Sequence, residues 1–268
     1  MSWRRTRQRQ RVKQALVGSL EALVHPQAMP PVVDRAAWRA ARDELLAREK
    51  AHTREGDAIA AARRRLPMTL LPAVTVAGPD GPVPLLDVFE GRRTLFAYFH
   101  MWHHGRPWQD QCEGCTFVTA HLQMQEYLRA REVTYAVFCE GSYEESAPFR
   151  DFMDYPYPWY SAKDSDPALV DGRGFGMIAC YVRDDDGNVY ETYWTTGRGV
   201  EALTTSYSAL DMTVFGRQEP WEDSPAGWPR LQDGQHPWRL DGRPTAQWSR
   251  TTEPVAGHEK HCAGGSSG

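Results

Sequence analysis

Two rhythms of apolar and polar positions run along this chain, and one replaces the other near residue 70. Residues 35–65 are crowded with Ala, Leu, Glu and Arg, strong helix formers, and follow Asp34, whose carboxylate suits a helix start. One long helix is predicted there, weakened at Gly56 and ended by Leu66-Pro67. Beyond residue 70, short apolar runs alternate with helical stretches. Val74–Val76 reads as a strand, Gly78-Pro79-Asp80-Gly81 as a turn, and Pro84–Phe89 as a short apolar piece closed by Gly91. Thr94–Phe99 and Val133–Cys139 are continuous apolar runs, the mark of strands buried on both faces. Between them, Phe117, Val118, Leu122, Met124 and Leu128 recur at helical spacing, predicting a helix over 114–131 with one buried side. A further helix is predicted over 143–153. Met177–Arg183 and Val189–Thr195 flank Asp184-Asp185-Asp186-Gly187-Asn188, a hairpin signal, and Gly199–Leu210 reads as the last regular helix.

Strand, helix, strand, helix, hairpin and helix in that order predict an α/β fold, with parallel strands joined by helices and ending in an antiparallel hairpin and a covering helix, so that a central sheet is flanked by helices. Residues 1–31 are expected to form a basic helical extension, with Leu16, Leu20 and Leu23 on one side of a helix over 3–24 and breaks at His25-Pro26 and Pro30-Pro31. Residues 32–220 would form the main domain. Residues 221–268 would wrap it irregularly, with a disordered tail from about residue 251 that ends in Gly-Gly-Ser-Ser-Gly. Many of the 10 Trp fall in this C-terminal part, where large rings can pin irregular chain by burial or, alternatively, line a ligand cavity.

A net charge of −4 argues against nucleic-acid binding, which favours a basic surface. No run reaches the roughly 18 apolar residues of a membrane helix. The Met1-Ser2-Trp3-Arg4-Arg5 start is similar to a twin-arginine signal. However, Ala15–Val24 is short and carries Glu21, and no small-residue cleavage site follows cleanly, so the protein is expected in the cytoplasm. Five cysteines, two of them three apart and the others scattered, fit a reducing compartment with a single redox or metal pair.

The segment from Phe99 to Cys115 carries the chemistry. It lies between a buried strand and a helix, where open α/β sheets gather ligands. Cys112-Glu113-Gly114-Cys115 at a helix start places the first thiol among free N–H groups, which lower its pKa. One turn on, the second thiol can attack a mixed disulfide. Cys112 is therefore the expected nucleophile, Cys115 the resolving thiol, and His104 or His103 a proton carrier. The alternative is two buried structural cysteines. His100, His103 and His104 with Cys112 and Cys115 also form a candidate set for copper, iron or zinc, with His52, His121 and His236 as distant additions. A four-cysteine metal site is excluded, because no second such pair exists. Cys139 and Cys180 read as buried apolar groups, Glu140 and Glu144 as candidates to border the site, Arg198 as a candidate anion holder, and His258, His261 and Cys262 as a weaker tail cluster.

Several blocks are familiar together. Asp34-Arg35-Ala36-Ala37-Trp38, Arg48-Glu49-Lys50-Ala51-His52-Thr53-Arg54 and Arg63-Arg64-Arg65-Leu66-Pro67-Met68 resemble the opening of a bacterial thioredoxin-like family, domain of unknown function 899. Cys112–Phe117, Tyr193–Gly199 and Leu210–Thr213 resemble its later blocks, so the resemblance spans roughly residues 32–220. It implies a fold similar to thioredoxins and peroxiredoxins, and Gly81–Phe99 also resembles the peroxiredoxin entry. Three features depart from these patterns. Thioredoxins carry a cis-proline where Gly176-Met177-Ile178 stands here, the peroxiredoxin Pro-x-x-x-Thr-x-x-Cys motif is missing, and His103-His104 is unusual for the family.

Three functions follow as expectations. The first is a thiol-based oxidoreductase acting on a disulfide, a peroxide or another small or thiol substrate. The second is a metal-dependent enzyme or copper-binding protein on the same fold. The third is a binding module that docks a partner, or a second copy of itself, through the long helix.

Overall fold

The computed structural model describes residues 29–231, 235–240 and 243–248. The expected helix over 3–24, the tail and its His258, His261 and Cys262 lie outside the described residues. Helix α1 (Arg35–Arg63) runs without a break through Gly56, and Asp34 caps it by accepting the Ala37 N–H at 2.8 Å. None of its residues is buried, and near its end Arg63 lies 4.9 Å over the Tyr193 ring.

Apart from the short antiparallel pair β9 (Arg239–Leu240) and β10 (Arg243–Pro244) in the C-terminal segment, the strands are β1 (Thr69–Leu70), β2 (Thr75–Gly78), β3 (Gly81–Pro84), β4 (Thr94–His100), β5 (Val133–Cys139), β6 (Trp159–Ser161), β7 (Met177–Arg183) and β8 (Val189–Thr195). They form one sheet in the order β1-β8-β7-β4-β5-β6-β2-β3. β4 lies near its middle, parallel to β5 and antiparallel to β7, while β6 runs parallel to β5. A parallel pair joined through a helix, with an antiparallel hairpin β7–β8 on the far side of β4, is the thioredoxin-like arrangement. The remaining helices are α2 (Leu85–Val88), α3 (Glu113–Thr119), α4 (Glu126–Arg129), α5 (Tyr143–Phe152), α6 (Asp166–Leu169), α7 (Thr205–Asp211) and α8 (Thr245–Trp248). No helix among the described residues is long and apolar enough to cross a membrane.

The alternation of side chains along a strand divides the continuous apolar runs between two cores. Leu95, Ala97 and Phe99 of β4, with Ala136 and Phe138 of β5, face the core that contains Leu85, Val88 and Leu169. Tyr98 of β4, with Tyr135, Val137 and Cys139 of β5, faces the core that contains Cys115, Val118 and Phe149. The second face therefore carries the candidate chemistry.

Two predicted helices are shorter than their sequence pattern suggests. The stretch 114–131 stops at Thr119 and resumes only over Glu126–Arg129. Side chains occupy the carbonyls that a longer α3 would need. The Tyr157 hydroxyl donates to Thr119 O, His121 Nδ1 to Phe117 O at 2.6 Å, and Gln123 Nε2 to Ala120 O at 2.8 Å. The last predicted helix begins as a 3₁₀ stretch (Gly197–Leu203) before α7. β1 and β6 have only two and three residues, too few for a periodic signal.

Candidate functional site

Cys112 is the N-cap of α3, and its sulfur accepts the Cys115 N–H at 3.5 Å. It is half-buried, whereas Cys115 is 4% exposed. The two thiols are held apart in acidity. A hydrogen bond from the Cys115 thiol lowers Cys112 to about 7, helped by the Cys115 and Gly114 N–H groups and opposed by burial and the Glu113 charge. Cys115 is pushed well above the ordinary thiol range by that same hydrogen bond and by complete burial. Two donors offset this in part: the Met101 N–H, 3.3 Å from the Cys115 sulfur, and the Tyr98 hydroxyl. Tyr98 is 1% exposed, and its period-two position on β4 aims it under α3.

The loop between β4 and α3 is tied to itself and to α5. Gln111 is 1% exposed and latches it, donating Nε2 to His103 O and Arg106 O at 3.0 Å each and accepting the His103 N–H at 2.9 Å. Glu140 accepts the Trp102 N–H at 2.9 Å, and Glu145 accepts the Gly105 N–H at 3.0 Å. A Cβ at Gly141 would lie 2.5 Å from Trp102 Cδ1, so only glycine lets the indole pack there.

The three histidines diverge. His100 is fully buried, and its Nδ1–H donates to Met101 O at 2.8 Å. Its ring packs against Trp159 and Phe149 at centroid distances of 5.3 and 5.8 Å. His104 turns away to Glu145, with Nδ1 3.1 Å from Oε2. His103 is half-buried and bound to Gln111 through its backbone. Among the described residues, no three His, Cys, Asp or Glu side chains converge as metal ligands. The proposed set of His100, His103, His104, Cys112 and Cys115 is thus not brought together, because ring packing and the Glu145 pair take two of its members elsewhere. Nor do the distant histidines join it. His52 is exposed on α1, His121 bridges Phe117 O and the Ser206 hydroxyl, and His236 stacks on Trp238. Arg198 pairs with Glu201 and covers the Trp221 ring rather than lying open to an anion. Cys139 and Cys180 are raised by burial to about 12 and about 11, so they remain thiols.

Burial also lowers His100 to about 4, so it is neutral in the folded protein where an unfolded histidine, near 6.5, would take a proton. As pH falls from about 6.5 to about 4, the unfolded chain binds the extra proton and stability drops, by roughly 3 kcal/mol in all. Urea unfolding of the wild type and of His100→Phe at pH 7 and pH 4.5 checks this. The variant is expected to lose less stability on acidification.

The C-terminal segment reaches this site, which the sequence did not foretell. Arg239 Nε donates to both Glu113 oxygens at 2.8 and 3.0 Å, and the Trp238 ring lies against Gly114. From α8, Gln247 Nε2 donates to Gln111 O at 3.1 Å and to Thr116 Oγ1 at 3.3 Å. Gln111, Tyr98, Glu145, Arg239 and Gln247 were all missed by sequence reasoning. Of these, only Tyr98 carried a signal, its alternation with His100 on one strand.

No curated protein matches the chain. Among solved structures, a Chlorobium tepidum protein described as a thiol:disulfide interchange protein DsbE is 18% identical, with a TM-score of 0.37, over 53% of this chain and 95% of that one. The peroxidoxin BcpB from Mycobacterium tuberculosis is 14% identical, with a TM-score of 0.36, over 53% of this chain and 97% of that one. A peroxiredoxin Q from Xanthomonas campestris is 14% identical, with a TM-score of 0.35, over 52% and 94%. Likenesses this low assign no substrate. The sequence pattern of one family, described as "Bacterial protein of unknown function (DUF899)", matches residues 27–235, and the chain belongs to that family.

Proposed function

We propose that this protein is a two-electron thiol oxidoreductase in which Cys112 attacks and Cys115 resolves. The observation that carries this reading is the asymmetry of the pair. One thiol is only partly buried at a helix start with its acidity raised, and the other is sealed beneath it within reach of two donors. An attacking thiol works best with a pKa near ambient pH, and the resolving thiol needs access only to Cys112. In thiol–disulfide exchange, the Cys112 thiolate bonds to one substrate sulfur and the other leaves as a thiolate. Cys115 then bonds to the Cys112 sulfur and expels the first. The substrate gains two electrons as the Cys112–Cys115 disulfide forms.

Alkylation of the reduced protein by iodoacetamide, mapped by mass spectrometry across pH, tests this. Cys112 should react first, at a rate that rises with pH through about 7 as thiolate forms, while Cys139 and Cys180, with values of about 12 and 11, stay unlabelled in the folded protein. A Cys112 that reacts no faster than Cys139 would refute the assignment. The metal-dependent alternative finds no supporting ligand set among the described residues.

A further inference from the structure

We infer that the C-terminal residues 235–240 and 243–248 restrict this thiol site to low-molecular-weight disulfides, by occupying the surface on which a protein disulfide would have to rest. The inference rests on the thiol oxidoreductase reading and adds the substrate class. Three contacts bracket Cys112 in sequence and in space. Gln247 holds Gln111 O on one side, Arg239 grips the Glu113 carboxylate on the other, and Trp238 lies on Gly114 one residue further on. Thr116, on the next turn of α3, is also taken by Gln247. Ala246, like Cys112, packs against the core that contains Cys115, so the segment is seated by apolar contact as well as by polar bonds.

The geometry has a direct consequence for attack. Displacement at sulfur needs the nucleophile on the far side of the breaking S–S bond. A small disulfide brings little bulk beyond that bond and can reach Cys112, which is only partly buried. A disulfide in a protein carries polypeptide on both sides. Seating that chain over α3 would mean displacing Trp238 and breaking the Arg239–Glu113 ion pair, which is bidentate and partly shielded, with side-chain exposures of 30% and 16%. The electron balance is that of the exchange above. One small disulfide becomes two thiols, the protein ends with a Cys112–Cys115 disulfide, and an external dithiol such as dithiothreitol returns it to the reduced form.

The test compares two substrates on the full chain with dithiothreitol as reductant: bis(2-hydroxyethyl) disulfide as the small probe and insulin as the protein disulfide. The ratio of the two rates is the readout, because any change in Cys112 acidity affects both substrates alike. The wild type should favour the small disulfide by about a hundredfold or more, and Trp238→Ala/Arg239→Ala should cut that preference about tenfold, mainly by speeding insulin reduction. Gln247→Ala, a milder change, should shift the ratio in the same direction if the double variant fails to fold. Equal rates on both substrates in the wild type would overturn the inference, as would a ratio that no variant moves. If Cys112 labels rapidly with iodoacetamide in that case, the oxidoreductase reading survives. If Cys112 is inert to iodoacetamide and to both disulfides, both readings fall.

Discussion

Cys112→Ser should lower disulfide reduction on the order of 10³-fold or more, because a serine hydroxyl supplies almost no anion near neutral pH and none of the other thiols among the described residues is placed to substitute. Cys115 is sealed, and Cys139 and Cys180 sit far above neutral at about 12 and about 11. Cys115→Ser should behave differently. Its first step remains, but the mixed disulfide on Cys112 has lost its neighbouring resolving thiol and accumulates, visible as a mass increment equal to one substrate half. Tyr98→Phe separates the two steps further. It removes one of the two donors that face the Cys115 sulfur. A hydrogen bond to a charged group contributes about 1.5–3 kcal/mol, so resolution should slow roughly tenfold or more. Iodoacetamide labelling of Cys112 should hold its midpoint near 7, since Tyr98 is not among the donors that lower it. Single-turnover traces that show loss of both steps in Tyr98→Phe would contradict this division of roles.

The largest expected loss of stability comes from Trp159→Ala, at about 3–5 kcal/mol. Trp159 is 2% exposed at the start of β6, and its indole N–H donates to Ser146 Oγ at 3.0 Å on α5. Its ring stacks on Tyr155 at 6.1 Å and lies against His100 at 5.3 Å. Truncation would leave a cavity under α5 and strip the Ser146 hydroxyl of one of its two hydrogen bonds, the other being its donation to Ser142 O at 2.8 Å; the loss is a large fraction of the 5–15 kcal/mol that usually separates folded from unfolded chains. Urea unfolding followed by circular dichroism should show a lower midpoint with an unchanged slope. Trp159→Phe should recover much of the loss, because it keeps the apolar volume and gives up the hydrogen bond. The aromatic column matters to function because it stands under α3. Tyr155 donates to Thr116 O at 3.2 Å and Tyr157 to Thr119 O, so the helix bearing both thiols is held from below by β6 and the chain before it. A partly destabilised Trp159 variant should therefore label faster at Cys115, the thiol that the intact core protects.

Local pattern carried much of this protein. The runs Thr94–Phe99 and Val133–Cys139 are strands, Met177–Arg183 and Val189–Thr195 form the hairpin, Asp34 caps the long helix, and Cys112 opens α3. Each depends on interactions within a few residues, such as alternation, turn chemistry and capping, and neighbouring positions in the chain suffice to specify them. What only the tertiary structure decided is which side chains meet. Three histidines within five residues suggested convergence, yet His100 points into an aromatic core and His104 out to Glu145 on α5, because strand alternation and loop path send neighbours in opposite directions. The end of α3 was hidden because Tyr157, 38 positions away, takes a carbonyl that a longer helix would use. Arg239 and Gln247 lie 126 and 136 positions from the groups they hold at the thiol site. Contacts of that span leave no periodic trace, since they arise from how a late segment of short elements is packed across a finished surface.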